Sequence, residues 1–127
     1  MTRGTFHVFV AAAVLFFSIS IPVFAHHGTA AYDMTKTVTV KGKVARFNFI
    51  NPHVQVYFDV VDEKGNVEHW QAELTSPNHL MRTGWSKETL KPLDEVTVTG
   101  YRAKDGSPSI WISKISLRDE ELKLESE

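Results

Sequence analysis

The feature that most constrains this chain is a period-two pattern that changes phase partway along. After Lys36, Val38, Val40 and Val44 fall on one face with Gly42 in register, while Lys41, Lys43 and Ala45 alternate with them. Phe47 and Phe49 then continue the alternation on odd numbers. A strand shows successive side chains to opposite faces. One long strand carrying both phases therefore has to bulge or bend sharply, and Gly42 offers the coiling point. Asn51-Pro52 ends it in a turn, because Pro sets φ and Asn favours turn starts.

The rest of the chain follows the same grammar. Val54, Val56, Phe58 and Val60 alternate as a second strand, and Asp62 to Asn66 is a hairpin loop in which Gly65 takes positive φ. A third strand runs from Val67 to Leu74 with Trp70, Ala72 and Leu74 on one side. Ser76-Pro77 starts a short helix, Ser as N-cap and Pro at the first helical position, with Leu80 and Met81 as its buried residues and Gly84 as its stop. Pro92 and Asp94 turn the chain into a fourth strand, Val96 to Tyr101. Asp105-Gly106 marks another hairpin, and Ile110, Trp111, Ile112, Ile115 and Leu117 form the fifth strand.

Three strands, a short helix and two strands, with a long bent first strand, describe an all-β fold. It is a small five-stranded, OB-like Greek-key barrel with one short helix between strands three and four. A seven-stranded sandwich is the rival, and about 80 residues leave little room for it. The barrel is assigned to residues 36–117, preceded by an extended arm at 26–35 and followed by a polar tail at 118–127 that reads as a frayed or short helical end.

Residues 1–25 read as a secretory signal peptide. Arg3 is followed by the apolar run Val8 to Phe17, and Val23-Phe24-Ala25 supplies the small residues that precede a cleavage site. Cleavage after Ala25 makes His26 the mature N-terminus and localises the protein to the periplasm or outside the cell. No second apolar stretch approaches the ~20 residues of a membrane span, so no stable span is expected after cleavage. The chain has no cysteine, which excludes disulfides, thiolate metal sites and cysteine nucleophiles. Without Arg3, 13 basic residues face 15 acidic ones, which lacks the clustered basic surface on which nucleic-acid binding rests.

The wording of the sequence resembles a bacterial exported family of unknown function, DUF6152. The resemblance rests on the leader ending in Ala-His-His, Val40-Lys41-Gly42-Lys43-Val44, Asn51-Pro52-His53, Asp62 to Gly65 before Trp70, and Ser76-Pro77-Asn78. Arg82-Thr83-Gly84-Trp85, Leu90-Lys91-Pro92 and Gly100 to Gly106 extend it over essentially the whole mature domain. The family implies no activity. One departure stands at Leu93-Asp94, where the family pattern has Gly-Asp, and it bears on the turn before strand four. A looser similarity, by topology alone, is to small periplasmic OB-fold proteins of the bacterial stress type.

No nucleophile, base and oxyanion set can be assembled: there is no Gly-x-Ser-x-Gly, no His-Glu-x-x-His and no phosphate loop. Ser76 is explained by capping, and Asp59, Glu68 and Glu73 alternate with core residues as solvated positions. The expected role is that of an exported binding or accessory module for an envelope protein or small molecule. Its ligand surface is the rim formed by Asn51, His53 and Tyr57 with the Asp105-Gly106 hairpin, since the loops between strands one and two and between strands four and five flank the usual groove of this barrel. The alternative is copper(II) handling. A free α-amine and the Nδ1 of His26, or the amine, the intervening amide and His27, supply the nitrogen donors Cu(II) prefers. A further imidazole then comes from His53, His69 or His79, with His53 the first choice. Trp70, Trp85 and Trp111 read as core or half-buried aromatics.

Overall fold

A computed structural model describes residues 28–125. The segment read as a signal peptide, and with it His26 and His27, lies outside the described residues. The elements run β1 (Tyr32–Asn48), β2 (Gln55–Val61), β3 (Val67–Glu73), α1 (Pro77–Met81), β4 (Glu95–Ala103), β5 (Ser109–Leu117) and β6 (Glu120–Glu121). The sheet order is β3-β2-β1-β4-β5-β6, and a parallel pairing of β3 with β5 closes the ring. All other pairings are antiparallel. This closed Greek-key ring, with a short helix between the third and fourth strands, is the expected OB-fold.

The phase slip in β1 is a bulge. Val44 pairs with Phe58 and Arg46 with Tyr57, which leaves Ala45 as the extra residue. Its consequence is to send Val44 into the core and turn Arg46 outward beside Tyr57. Gly42 packs so closely on β2 that a Cβ there would meet the carbonyl of Asp59 and the ring of Phe58. A second slip lies in β5, where Ile112 pairs with Gly100 and Lys114 with Thr99, leaving Ser113 over. It lets Ile110, Ile112 and Ile115 all point inward despite their change of parity.

The core is the even-numbered face of the middle strands: Val54, Val56, Phe58, Trp70, Ala72, Leu74, Val96 and Val98, sealed by Leu80, Trp85 and Leu90. Each of the Val, Leu and Phe side chains among them stabilises the fold by about 1.5–3 kcal/mol through removal from water. No buried side-chain polar atom among the described residues lacks a partner. Ser76 caps α1, accepting from the His79 N–H, and Pro77 opens it. Gly84 follows at φ 92°. Leu80 is buried as expected, but Met81 is 53% exposed. In a helix of five residues only one narrow stripe faces the barrel, and Pro77 with Leu80 fills it.

Two boundaries differ from the sequence reading. β1 starts at Tyr32, inside the segment read as an arm, because Tyr32 pairs with Ala103 and buries its ring. The tail is neither helical nor frayed over its described length. β6 pairs with the end of β5, Leu122 and Leu124 pack on the core, and the Trp85 indole Nε1–H donates to the Lys123 carbonyl at 2.7 Å. Among the described residues no helix is long and apolar enough to cross a membrane.

Candidate functional site

While even-numbered residues of β2 and β3 fill the core, the odd-numbered ones make an outer face. Cross-strand pairs set its rows: Asp59 with His69, Tyr57 with Gln71, and Gln55 with Glu73. The parallel pairing extends two rows onto β5, Gln71 to Ser109 and Glu73 to Trp111. The face therefore runs without a break from the β2–β3 hairpin end to the loop that holds His53.

At one end the face sinks into a groove of about 510 Å³ lined by Arg46, Tyr57, His69, Trp70, Gln71 and Pro108. The Arg46 guanidinium, turned out by the β1 bulge, sits 4.1 Å above the centre of the Tyr57 ring. The Tyr57 hydroxyl donates to Gln55 Oε1 at 3.1 Å, and His69 Nδ1 lies 2.6 Å from Asp59 Oδ1. Arg102 braces the far wall. It covers the Trp70 ring at 5.2 Å and donates to the carbonyls of Gly106 and Ser107, which ties down the β4–β5 loop. Asp105 shapes that loop. Its Oδ1 accepts from the Ser107 N–H at 2.9 Å, and hydrogen bonds from the Ser107 side chain and backbone hold its carboxyl below the usual range.

At the other end lies a polar cluster around His53. Its Nδ1 is 3.8 Å from Glu73 Oε1, with the two side chains 23% and 21% exposed. The other Glu73 oxygen, Oε2, accepts from the Tyr32 hydroxyl at 2.7 Å, and Ser109 Oγ lies 3.3 Å from the same hydroxyl. Burial, with a smaller contribution from the Glu73 charge, pushes the Tyr32 phenol up to about 12, so it stays a donor through the physiological range. The His53 ring stands edge-on to Trp111 at 5.3 Å. Its Cε1 and Nε2 face Gly28, where an added Cβ would lie 3.2 Å from Cε1 and 3.5 Å from Nε2.

The residues expected to form one rim are thus divided. Tyr57 lines the groove, His53 belongs to the polar cluster on the same face, Asp105 turns into its own loop, and Asn51 is exposed ahead of a cis Pro52. The three candidate histidines are divided as well. His69 is paired with Asp59 at the groove end, His79 sits on α1 in a separate depression beside Leu124, and His53 lies against Gly28, the residue that follows His27. Among the described residues no group of three or more His, Asp or Glu is placed to hold a metal ion. Sequence reasoning missed Arg46, whose role needs the bulge, and Glu73, read as solvated although Tyr32 reaches it across 41 residues. The alternation that sends Glu73 to the same face as His53 was the signal available for it.

A family model described as "Family of unknown function (DUF6152)" matches residues 13–110. Among solved structures, the dimeric N-terminal domain of PriB from Thermoanaerobacter tencongensis is similar at 19% identity. The match covers 64% of this chain and 93% of that one, with a TM-score of 0.48. The small single-stranded DNA-binding protein from Streptomyces coelicolor is similar at 18% identity over 65% of this chain and 91% of its own, also with a TM-score of 0.48. No curated protein matches.

Proposed function

The chain belongs to DUF6152, a family of unknown function, and from its own geometry we propose that it is an exported binding module that takes its ligand on the outer face of β2 and β3. The observation that carries this is the groove with Arg46 laid over Tyr57. Arg46 is exposed and, among the described residues, makes that ring contact and no ion pair, so its guanidinium donors remain available to a ligand. Trp70 and Pro108 supply apolar wall, and Gln71 supplies a polar group that orients. Such a lining fits a flat apolar group with an acidic end, on a small molecule or on an envelope partner. Export follows from the leader, and the acidic balance argues against nucleic acid as the ligand.

The test is a panel of aryl carboxylates and aryl phosphates followed by NMR shift mapping on the mature protein. Shifts clustered at Arg46, Tyr57 and Gln71, and lost in Arg46→Ala, support the reading. Binding that maps elsewhere or ignores Arg46→Ala refutes it.

A second reading, copper(II) binding by the mature N-terminus, is favoured by the contact of Gly28 with His53. His27 precedes Gly28 in the chain, which makes His53 the barrel histidine to include in the test. Cleavage after Ala25 would free the His26 amine beside its own imidazole, a donor pair that suits Cu(II). A Cu(II) titration with EPR, on protein whose N-terminal mass is confirmed, decides it. One-to-one binding with three-nitrogen character should be weakened by His53→Ala and lost when one residue is added before His26. Binding indifferent to both changes removes the reading.

A further inference from the structure

We infer that the ligand of the outer-face groove is an extended peptide segment of a partner protein, which adds a strand to the open edge of β3 at His69 and sets an acidic side chain at Arg46. The inference rests on the groove reading above and adds to it the chemical class of the ligand and the backbone groups that hold it.

The edge follows from the hydrogen-bond register. At one end of the β2–β3 ladder the Leu74 N–H donates to the Val54 carbonyl at 2.9 Å, and past the other end the Asp62 N–H donates to the Asn66 carbonyl at 2.9 Å. In an antiparallel pair, rows that exchange backbone hydrogen bonds alternate with rows that do not. The bonded rows are therefore the even-numbered ones, among them Phe58 with Trp70 and Val60 with Glu68. Odd-numbered residues of β3 turn their N–H and C=O away from β2. Gln71 shows this, since its N–H donates to the Pro108 carbonyl at 3.0 Å.

β5 accompanies β3 only over Gln71 to Glu73. One step further, a parallel ladder would send the N–H of residue 108 to the His69 carbonyl, and the His69 N–H to the carbonyl of residue 106. Pro108 has no N–H to give, and the Gly106 carbonyl accepts from Arg102 instead. Among the described residues, His69 and Val67 are thus left with no strand on that side. Unpaired backbone groups in a row are a template for another strand.

The groove lies along this edge. It is lined by His69 and Gln71 of β3, by Ser107 and Pro108 of the β4–β5 loop, and by Arg46 and Tyr57. In strand addition, main-chain bonds supply affinity and alternate side chains supply specificity. On the outer face an added strand would set one side chain beside Val67 and its cross-strand partner Val61, both exposed. The next side chain on that face would stand beside His69, at the mouth of the groove. An apolar group suits the first position and an acidic group the second. The Arg46 guanidinium is the cation available to it, and the Asp59 carboxylate in the same row is engaged by His69 at 2.6 Å.

The experiment uses the mature protein and a blocked hexapeptide of alternating valine and threonine in which one valine is replaced by glutamate. In the free protein, amide exchange followed by NMR should be fast at His69 and slow at Trp70, whose N–H is bonded to β2. With peptide at about ten times its Kd, exchange at His69 should slow about tenfold, while the exposed Lys87 amide outside the groove stays unchanged. N-methylation of alternate peptide residues should abolish binding in one parity and spare it in the other. Arg46→Ala, or lysine in place of the peptide glutamate, should each weaken binding about fivefold.

Exchange at His69 as slow as at Trp70 in the free protein overturns the inference, and so does equal binding by both methylated peptides. Slowing at His69 that grows with protein concentration alone assigns the edge to a second copy and overturns it as well. Aryl carboxylates that bind through Arg46, with a peptide that leaves His69 exchange unchanged, overturn the inference and leave the groove reading standing. Indifference of both ligands to Arg46→Ala removes the groove reading itself.

Discussion

Alkaline titration of Tyr32 probes the polar cluster directly. The phenol is 5% exposed, and its pKa rises from 10.0 to about 12 because burial disfavours the phenolate. A group whose folded pKa is raised contributes fully below its unfolded pKa and loses that contribution as pH climbs through the folded one. Here the window is pH 10 to 12: the unfolded chain ionises first and is stabilised relative to the fold. Two pKa units at about 1.4 kcal/mol each amount to about 3 kcal/mol lost across the window. Tyr32→Phe cannot ionise, but it gives up the hydrogen bond to Glu73, which costs about 1–3 kcal/mol at neutral pH. Urea unfolding of both proteins in steps from neutral pH to about pH 12 should show the wild type more stable at the start. The gap should then close or invert by the end. Lysine titration, including that of Lys41 beside Glu95, acts on both proteins alike and drops out of the difference. Two parallel profiles would refute the argument, since they would mean that the phenol ionises equally well in both states.

Leu93 holds φ 73° at a site 78% exposed. An L-residue in that region costs about 1–2 kcal/mol, partly offset in a glycine variant by roughly 0.5–1 kcal/mol of chain entropy. Leu93→Gly should therefore raise stability by about 0.5–1 kcal/mol, read as a higher urea midpoint. Gly100 has the carbonyl of Trp111 where a Cβ would go, so Gly100→Ala should forfeit at least about 3 kcal/mol by denaturant unfolding. Gly65→Ala, strained only by its φ of 84° in open space, should lose about 0.5–1 kcal/mol, the same strain less the chain entropy that glycine gives up on folding. Trp85→Phe removes the donor to the Lys123 carbonyl and should cost about 1 kcal/mol, with amide exchange quickening at Glu121 to Leu124. An oligothymidine at low salt should give no saturable anisotropy change, because acidic residues outnumber basic ones in the chain.

Much of the fold was legible because a strand writes its two faces in alternate letters. The odd–even switch between Val44 and Phe47 foretold a bulge, Ser76-Pro77 a helix start, and Gly65 a turn at positive φ. Met81 misled because hydrophobicity says nothing about which side of a one-turn helix meets the barrel. The tail misled for the opposite reason: its acidic residues hid the alternating pair Leu122 and Leu124, whose value depends on Trp85 being within reach. In the outer face, Tyr57 and His53 could be picked out as rim residues, yet their separation into a groove and a polar cluster could not.

What the sequence by itself determined is what local chemistry controls: strand periodicity, caps and turns, the lack of thiol chemistry and the charge balance. What only the tertiary structure decided is who stands beside whom. Barrel closure brings β3 against β5 and so sets Glu73 beside Trp111. The long β1 carries Tyr32 across to the same carboxylate and Arg46 over Tyr57. The physical reason is that these contacts join residues far apart in the chain, and each is fixed by register and ring closure, which no short window of sequence contains.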